Sequence, residues 1–417
     1  MQVVLLAAGQ SSRFYPFNKE HKSLISVMGK SIIVHTIESI NKKSGIEKFL
    51  IVTDPKNEAR QILGDGSDLG VKVEYVILEK PTGMGDALLA AEKKIFDNFF
   101  LVHSYHVDFP EIVENFDLEN PSDSTLFIKK EKDITGFGIV TLDGKSVTSV
   151  VEKPENSSSL SDNKIVGIYF LKKDFIPTLK KIKPEHYSFE KALDEYAKQG
   201  KLKAEVIKSD TVTLKYPWDL LGLKNYLLSH AKKSISLKAS ISDSAKLEGL
   251  IIVEDGAVIS DNSIIKGPCF IGKNVFVGTN SLVRDGSCLE ENVKVGAFME
   301  IKNSLVMEGT TFHSGYLGDS LIGKDCKIGS QFNTANVRLD RGNVRVLVND
   351  KKIDTGMKYL GGIVGNDVLV GGNVSVMPGV IVGDNVNIGP STTVMKNIPP
   401  NTVFYTKFKE HVEKSRK

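Results

Sequence analysis

The sequence predicts a two-domain protein, with an α/β domain followed by a parallel β-helix built from six-residue turns. In the first half of the chain, strand-like aliphatic runs alternate with segments of helical periodicity. Beyond about residue 235 the hydrophobic pattern changes to a constant period of six. A length of 417 residues also exceeds what one hydrophobic core usually supports, so two domains are expected.

The first domain is predicted from the signals between residue 1 and about residue 210. Its strand-like runs and helical patterns include residues 3–6, 31–43, 49–52, 73–76 and 84–95. Such alternation is typical of βαβ units and predicts a mostly parallel sheet. The periodic stretch 217–228 predicts a helix that closes this domain.

The second domain carries apolar residues six positions apart. They form two series: Ile252, Val258, Ile264, Phe270, Phe276 and Leu282, and then Val370, Val376, Val382, Ile388 and Val394. Each turn of the coil is expected to place one of them inside. Tight corners are expected at Gly365, Gly371, Gly383 and Gly389. A β-sandwich is the alternative, but its turn signals would recur at about 8–12 residues. The predicted domains are residues 1–232 and 233–417.

An insertion interrupts the six-residue period at residues 336–361. It starts with Asn-Val-Arg-Leu-Asp and continues as a charged excursion. Because insertions that break a solenoid usually form functional loops, we expect one here.

Composition excludes several classes of function. The net charge is only +3, and the Lys and Arg residues are dispersed, so we expect no nucleic-acid partner. No apolar run is long enough to span a bilayer and no secretory signal is recognisable, so we expect a cytoplasmic protein without a membrane partner. Cys269, Cys288 and Cys326 are widely spaced and odd in number, which favours reduced structural thiols.

A phosphate-binding loop is predicted where the first strand ends. The run is Leu5-Leu6-Ala7-Ala8-Gly9-Gln10-Ser11-Ser12-Arg13-Phe14. Small residues let backbone N–H groups close on a phosphate without Cβ obstruction. Arg13 can bind phosphate oxygens in a bidentate way, and Lys22 can add a second positive charge. Alone, this run is also compatible with an ordinary turn.

Further motifs follow in order. They are Gly83-Met84-Gly85-Asp86-Ala87, Gly136-Phe137-Gly138, Val151-Glu152-Lys153-Pro154 and Gly167-Ile168-Tyr169. With the loop, Pro16 and Lys22-Ser23-Leu24, they make residues 1–230 resemble the sugar-1-phosphate nucleotidylyltransferases, which have a Rossmann-like fold. The resemblance implies in-line attack of a sugar 1-phosphate oxygen on the α-phosphorus of an NTP, with release of pyrophosphate. Basic groups and Mg²⁺ would neutralise the charge.

The same resemblance assigns roles to single residues. It implies nucleotide binding by Ala7, Ala8, Gly9 and Gly83. It implies catalytic roles for Arg13 and Lys22. It implies a sugar-phosphate pocket lined by Gly138, Glu152, Lys153 and Gly167. The alternative for the two lysines is a solvated surface position.

The metal-binding residues of this family are replaced. His106 stands where the aspartate of a Gly-Asp pair is expected, and Thr213 stands at the second metal position. Asp108 can take over if the strand runs two residues longer, so His106 and Asp108 are the candidate metal ligands. Mg²⁺ prefers carboxylate and water oxygens, which His and Thr replace poorly. The alternative function is therefore a head domain that has lost nucleotidyl transfer and serves as a binding or regulatory module. The base-reading glutamine is also replaced, near Leu78.

The tail contains a second set of motifs. They are Glu300-Ile301-Lys302, His313-Ser314-Gly315-Tyr316-Leu317-Gly318-Asp319 and Asn333-Thr334-Ala335-Asn336. With them, residues 240–405 resemble the acetyltransferase half of the bifunctional N-acetylglucosamine-1-phosphate uridylyltransferases, and most of all their archaeal long form. The resemblance implies a left-handed parallel β-helix of hexapeptide repeats and a homotrimer. It also implies acetyl-CoA as co-substrate and an amino sugar 1-phosphate as acceptor.

The chemistry of acetyl transfer fits these residue types. The amine must be neutral to attack, and imidazole has the pKa of a suitable base. By the resemblance, His313 is that base and Glu300 orients it. The implied contacts to the sugar phosphate and the amino sugar come from Arg284, Lys302, Tyr316 and Asn336. Val337 stands where the bacterial enzymes often have Tyr. The alternatives are a packed structural histidine and a purely structural coil.

Overall fold

A computed structural model of the chain describes residues 1–9, 11–43, 45–46, 48–131, 136–153 and 161–413. Gln10 and Pro154 of the predicted motifs lie outside these residues. The chain forms two compact units. The first comprises Met1–Ser11, Glu20–Ile25 and Ser31–Thr213, and the second comprises Ser12–Lys19, Ser26–Lys30 and Leu214–Lys417. The predicted domain boundary at residues 232/233 stays a prediction.

Before residue 207, the described part of the chain forms eleven strands and six α-helices. They are β1 (Gln2–Ala7), β2 (Ser26–Val27), β3 (Lys30–Ser31), α1 (Ile32–Asn41), β4 (Lys48–Thr53), α2 (Glu58–Leu63), β5 (Lys72–Ile77), α3 (Met84–Ala91), β6 (Phe99–His103), α4 (Phe109–Ile112), β7 (Ser124–Lys130), β8 (Gly138–Asp143), β9 (Ser146–Glu152), β10 (Asn163–Leu171), α5 (Phe175–Lys180), α6 (Ser188–Lys198) and β11 (Leu202–Val206). Nine of these strands form one sheet in the order β5-β4-β1-β6-β10-β7-β11-β9-β8.

The sheet is parallel in one half and mixed in the other. Strands β5, β4, β1 and β6 pair in parallel, as the βαβ pattern predicted. Strand β10 is antiparallel to both β6 and β7, and β8 is antiparallel to β9. Only two residues separate β8 from β9, and Gly144 supplies a positive φ of 59° for that tight turn. The prediction of a mostly parallel sheet therefore holds for β5, β4, β1 and β6 and for the pair β7–β11, whereas the other pairings of this sheet are antiparallel.

The central strands of this sheet are buried on both faces. Val4 belongs to one apolar cluster, whereas its neighbours Val3 and Leu5 belong to the other. All three are 0% exposed. Successive side chains point to opposite faces of a strand, so a continuous aliphatic run signals two covered faces. This packing fixes the carboxyl ends of β1 and β6, where the predicted phosphate loop and His106 follow.

The second unit contains a helix, α7 (Asp219–Ser229), and a long coil of short strands. The strands are β12 (Ser234–Ile235), β13 (Ser240–Ile241), β14 (Lys246–Glu248), β15 (Ile251–Val253), β16 (Val258–Ile259), β17 (Ile264–Lys266), β18 (Cys269–Ile271), β19 (Phe276–Val277), β20 (Leu282–Arg284), β21 (Cys288–Leu289), β22 (Lys294–Val295), β23 (Met299–Lys302), β24 (Leu305–Val306), β25 (Thr311–Phe312), β26 (Gly315–Gly318), β27 (Leu321–Ile322), β28 (Lys327–Ile328), β29 (Phe332–Thr334), β30 (Arg345–Val348), β31 (Lys351–Asp354), β32 (Ile363–Val364), β33 (Leu369–Val370), β34 (Ser375–Val376), β35 (Ile381–Val382), β36 (Asn387–Ile388), β37 (Thr393–Val394) and β38 (Val403–Phe404).

These strands stack into three parallel sheets. Up to β29, each strand pairs with the strand three places later in the chain. Three strands therefore complete one turn of the coil. Strands β30 and β31 leave the coil as an antiparallel hairpin, and β32 then stacks directly on β27. The structure thus confirms both the parallel β-helix and the interruption predicted at residues 336–361. None of the described helices has the length and apolar character needed to span a membrane.

The predicted set of inward-pointing residues is wrong in the first turns of the coil. The second predicted series is buried, from Val370 to Val394. In the first series, however, Val258 and Phe276 are 37% and 40% exposed. The inward positions are one residue later: Val253, Ile259, Ile265, Ile271, Val277 and Val283. Apolar residues occupy adjacent positions in these strands, so the period of six alone did not decide which of them points inward.

At the predicted corner positions glycine is required for lack of space and not for its backbone conformation. A Cβ on Gly371 would lie 2.7 Å from the backbone nitrogen of Pro390, and one on Gly383 would lie 2.6 Å from that of Pro400. Close approach of neighbouring coils therefore excludes side chains at both positions. Left-handed corners are formed instead by residues such as Asn373, with a φ of 57°.

The three cysteines are free and buried, as predicted. Burial raises the pKa of the Cys269 and Cys326 thiols to about 12. Such thiols pack as small apolar side chains.

Candidate functional site

The predicted nucleotide loop begins at the carboxyl end of β1. Ala7 ends that strand, and Ala8 and Gly9 follow it. Both alanines are buried, whereas Gly9 is exposed. An added Cβ on Gly9 would lie 3.9 Å from Nε2 of His21, so the glycine borders an imidazole. The open backbone here suits a phosphate, and the binding role stays a prediction.

Gly83 is the N-cap of α3. Its backbone is extended, and an added Cβ would lie 2.4 Å from the carbonyl oxygen of His186. Any side chain at this position would therefore clash with the protein itself. Because α3 packs against β1, Gly83 stands at a helix N-terminus beside the predicted loop strand.

The two predicted catalytic basic residues differ in setting. Arg13 is exposed and lies in Ser12–Lys19, which belongs to the second unit. Lys22 lies in the first unit, where its backbone nitrogen donates a 3.2 Å hydrogen bond to Oγ of Ser11. Its Nζ lies 4.7 Å from the ring centroid of Tyr105, within the range of a cation–π interaction. Lys22 thus brings a positive charge to the residues that follow β6.

Two histidines that were not predicted as site residues, His21 and His103, lie near the charge of Lys22. The pKa of His21 is lowered to about 3, first by burial and then by Lys22. The pKa of His103 is also lowered to about 3, first by burial and then by His106 and Lys22. Both imidazoles are therefore neutral near pH 7. The ring of His103 stacks on Tyr105 with centroids 5.5 Å apart.

The candidate metal ligands form a buried pair. Nδ1 of His106 lies 2.9 Å from Oδ1 of Asp108, and the two side chains are 1% and 0% exposed. The other oxygen of Asp108, Oδ2, accepts a 2.6 Å hydrogen bond from the backbone nitrogen of Val212. Asp108 is therefore buried, with both carboxylate oxygens hydrogen-bonded. Nε2 of His106 is buried and has no hydrogen-bond partner among the described residues.

Gly167 lies against these imidazoles. Its φ is +98°, and an added Cβ would lie 2.7 Å from Cδ2 of His103 and 3.2 Å from Nε2 of His106. Both the backbone conformation and the two rings exclude a side chain. The structure thus places Gly167, predicted to line the sugar-phosphate pocket, next to the predicted metal ligand.

The other predicted sugar-phosphate residues meet where β8 and β9 pair. Gly138 and Glu152 are direct partners in this ladder. A Cβ on Gly138 would lie 2.8 Å from Oε2 of Glu152, so glycine leaves room for the carboxylate. Nζ of Lys153 lies 3.1 Å from Oε1 of Glu152 and donates to the hydroxyl of Tyr187 at 3.2 Å. Three of the four predicted pocket residues are thus in one cluster.

Glu190 belongs to this neighbourhood and was missed. It lies in the first turn of α6, is 9% exposed, and has an Oε2 without a hydrogen-bond partner among the described residues. Its pKa is raised to about 7, mainly by burial and also by Glu152. Glu190 is one of three acidic residues in this amphipathic helix, and nothing in the sequence distinguished it from Asp194 and Glu195.

In the tail, the predicted substrate residues share one sheet of the coil. Strands β20, β23, β26 and β29 stack on each other. Arg284 therefore pairs with Lys302, and Glu300 pairs with Tyr316. The Glu300 carboxylate accepts a 2.8 Å hydrogen bond from Nε of Arg284. Its partner is thus a predicted phosphate-binding residue rather than His313, and the orienting role stays a prediction.

Asp319 connects the rest of this site. It is 3% exposed and accepts hydrogen bonds from Nζ of Lys302 at 3.0 Å and from Nδ2 of Asn336 at 2.5 Å. The same Nδ2 lies 3.3 Å from the hydroxyl of Tyr316. Nζ of Lys302 also lies 4.9 Å from the ring centroid of Tyr359, which belongs to the predicted loop. The structure thus brings Lys302, Tyr316 and Asn336 together.

His313 is exposed at a corner of the coil. It lines a groove of about 380 Å³, together with Thr311, Phe312, Lys327, Ile328, Gly329 and Val370. An exposed imidazole in a groove can exchange a proton with a bound molecule, which a packed structural histidine cannot. Its role as base stays a prediction.

Comparisons with known proteins match both halves. The nucleotidyl transferase family matches residues 2–235, and the bacterial transferase hexapeptide family (six repeats) matches residues 361–396. The hexapeptide repeats agree with the left-handed form of the β-helix.

Similar proteins also match along the whole length. The chain is 33% identical to the bifunctional protein GlmU of Methanococcus maripaludis strain C5, with 100% of both chains covered. It is 32% identical to the protein of that name from Methanocaldococcus jannaschii, with 97% of each chain covered. It is 30% identical to a bifunctional sugar-1-phosphate nucleotidylyltransferase/acetyltransferase of Sulfurisphaera tokodaii, over 91% of this chain and 94% of the relative. The chain therefore belongs to the nucleotidyl transferase family, among the bifunctional transferases that carry hexapeptide repeats behind the nucleotidyltransferase domain.

Proposed function

We propose that the protein performs two transfers. The head, residues 1–232, joins a sugar 1-phosphate to an NTP and releases pyrophosphate, and the β-helix acetylates an amino sugar 1-phosphate. Full-length similarity to relatives named for both activities supports this pairing. The observation that carries it is the convergence of Lys302, Tyr316 and Asn336, two of them on the carboxylate of Asp319.

The tail supplies groups for acetyl transfer from acetyl-CoA. Arg284 and Lys302, side by side in the ladder, present two positive charges for the phosphate. His313 takes a proton from the amine as its nitrogen attacks the thioester carbonyl. The new C–N bond forms, the C–S bond breaks, and the thiolate of CoA takes up a proton. The hexapeptide match supports a homotrimer as the assembled form.

The head supplies groups for phosphate chemistry. An oxygen of the sugar 1-phosphate attacks the α-phosphorus of the NTP in line, and the bond to the β-phosphate oxygen breaks. Lys22, held at the ring of Tyr105, offsets the charge of the phosphates. Lys153 and Glu152 bind the sugar phosphate beside Gly138.

Mg²⁺ is implied by this family, but the residues present do not fit it. Both oxygens of Asp108 already accept hydrogen bonds, and His106 offers nitrogen where Mg²⁺ prefers oxygen. No step of the proposal passes through a metal ion.

The two halves are tested separately on the full-length protein. Glucosamine 1-phosphate with acetyl-CoA should release free CoA thiol, measured with a thiol reagent. Sugar 1-phosphates with each NTP should release pyrophosphate, measured with a coupled phosphate assay. No thiol release would refute the tail activity, and no pyrophosphate from any pair would refute the head activity.

A further inference from the structure

The carboxylate nearest to the expected metal position is buried, and each of its oxygens has a hydrogen-bond partner in the protein. Asp108 is 0% exposed, Oδ1 faces Nδ1 of His106 at 2.9 Å, and Oδ2 accepts from the nitrogen of Val212 at 2.6 Å. A metal ion could reach this carboxylate only if the packing around it opened, because the side chain is 0% exposed, and its approach would disturb a buried hydrogen-bonded pair. Asp108 is therefore built to orient an imidazole.

The orientation of His106 has a definite result. With Asp108 as the acceptor, Nδ1 carries a proton, and Nε2 is the ring nitrogen left to face a ligand. That nitrogen is buried without a partner among the described residues and lies against Gly167. The pair thus fixes the position of one imidazole nitrogen, Nε2, at the predicted sugar-phosphate pocket.

The second metal position offers no carboxylate either. The hydrogen bond from Val212 to Asp108 brings the segment before Thr213 to this place, and Thr213 has only a hydroxyl. In the part of the chain that the structure describes, no three His, Cys, Asp or Glu side chains are arranged to hold a metal ion. The nearby fixed positive charge is Lys22, over the ring of Tyr105.

We infer that the head binds its phosphate-bearing ligand without a metal ion held by protein carboxylates, and that Asp108 is a positioning residue for His106. The inference rests on the proposed function in that a nucleotide or sugar phosphate must bind the head. It concerns how the ligand is held and not whether transfer occurs.

Calorimetry with UTP, dTTP and glucose 1-phosphate tests the inference on the full-length protein. Each ligand is titrated in excess EDTA and in excess Mg²⁺. We expect at least one to bind with a Kd that differs less than about threefold between the two conditions. The inference is overturned if Mg²⁺ tightens binding more than about tenfold and Asp108→Asn removes that gain. It is also overturned if no ligand binds in EDTA.

The pyrophosphate assay separates this result from the proposed function. Release of pyrophosphate together with an Asp108-dependent metal effect would remove the inference and keep the function. Metal-independent binding without pyrophosphate release would keep the inference and remove the head activity.

A gain-of-metal variant gives a second readout. His106→Asp with Thr213→Asp restores two carboxylates, and His106→Asn with Thr213→Asn is the matched uncharged control. Mn²⁺ bound in the presence of UTP is measured by electron paramagnetic resonance. We expect the aspartate variant to bind Mn²⁺ at least about tenfold more tightly than the wild type or the control. Equal binding by all three proteins would contradict the inference.

Discussion

The carboxylate of Asp319 forms an ion pair with Lys302, with Oδ2 and Nζ 3.0 Å apart and the Asp319 side chain only 4% exposed. The same oxygen accepts from Asn336, and Oδ1 accepts from Nδ2 of Asn303 at 2.7 Å. Asn303 in turn accepts from Nζ of the buried Lys224 on α7. Because a buried carboxylate has few alternative partners, Asp319 holds two predicted substrate residues in one geometry.

Asp319→Asn should weaken binding of the amino sugar phosphate. The φ of 48° at this position suits Asn, so the backbone is preserved, but the amide loses a charge that Lys302 and Asn336 both use. We expect KM for glucosamine 1-phosphate to rise about tenfold, with a smaller change in kcat. Asp325→Asn, at an exposed corner with a φ of 55°, is the control and should leave KM unchanged. An unaltered KM in Asp319→Asn would refute the positioning role.

The coil was predictable because its repeat is a local pattern. A period of six is visible in one sequence, and the structure keeps it from Val253 to Ile301 and again from Val364 to Val394. In the first turns the sequence did not show which residue of each strand points inward, because adjacent residues such as Val258 and Ile259 are both apolar. The antiparallel pairings in the head sheet were not predicted, because strand direction depends on long-range pairing and not on composition.

Residues of the candidate sites were predictable where they belong to a recognisable sequence motif. Lys302, Tyr316 and Asn336 were expected together and are together. The roles of Asp319 and Glu190 were not visible, because both act through burial and through partners far apart in sequence. The type of an acidic residue carries no sign of the environment that the fold gives it.

Replacing His313 should stop acetyl transfer alone. His313→Ala removes the exposed imidazole of the groove, and loss of a general base typically lowers the rate by about 10²–10⁴-fold. We expect this loss in thiol release, with pyrophosphate release unchanged. His411→Ala, at an exposed position, is the control. Thiol release at the normal rate in His313→Ala would show that another group is the base.

Replacing Lys22 should affect the head alone. Lys22→Met keeps the length of the side chain but removes the charge over the Tyr105 ring. A charge-assisted contact to phosphate is worth about 1.5–3 kcal/mol, which corresponds to about 10–100-fold in kcat/KM for pyrophosphate release. The exposed Lys93→Met is the matched control. If both variants lose activity equally, net charge rather than position is responsible.

Glu190 should make the stability of the head depend on pH. Its pKa is raised from 4.5 to about 7 by burial, so the folded state holds a proton more tightly than the unfolded chain. The stabilisation is therefore complete below the ordinary pKa and is lost as pH rises through about 7, a change on the order of 3 kcal/mol. Glu190→Gln, neutral at every pH, should abolish this part of the dependence. Calorimetric Tm values at about pH 5.5 and about pH 8 would show it, with exposed Glu195→Gln on the same helix as control. A wild-type dependence that persists in Glu190→Gln would assign it to another group.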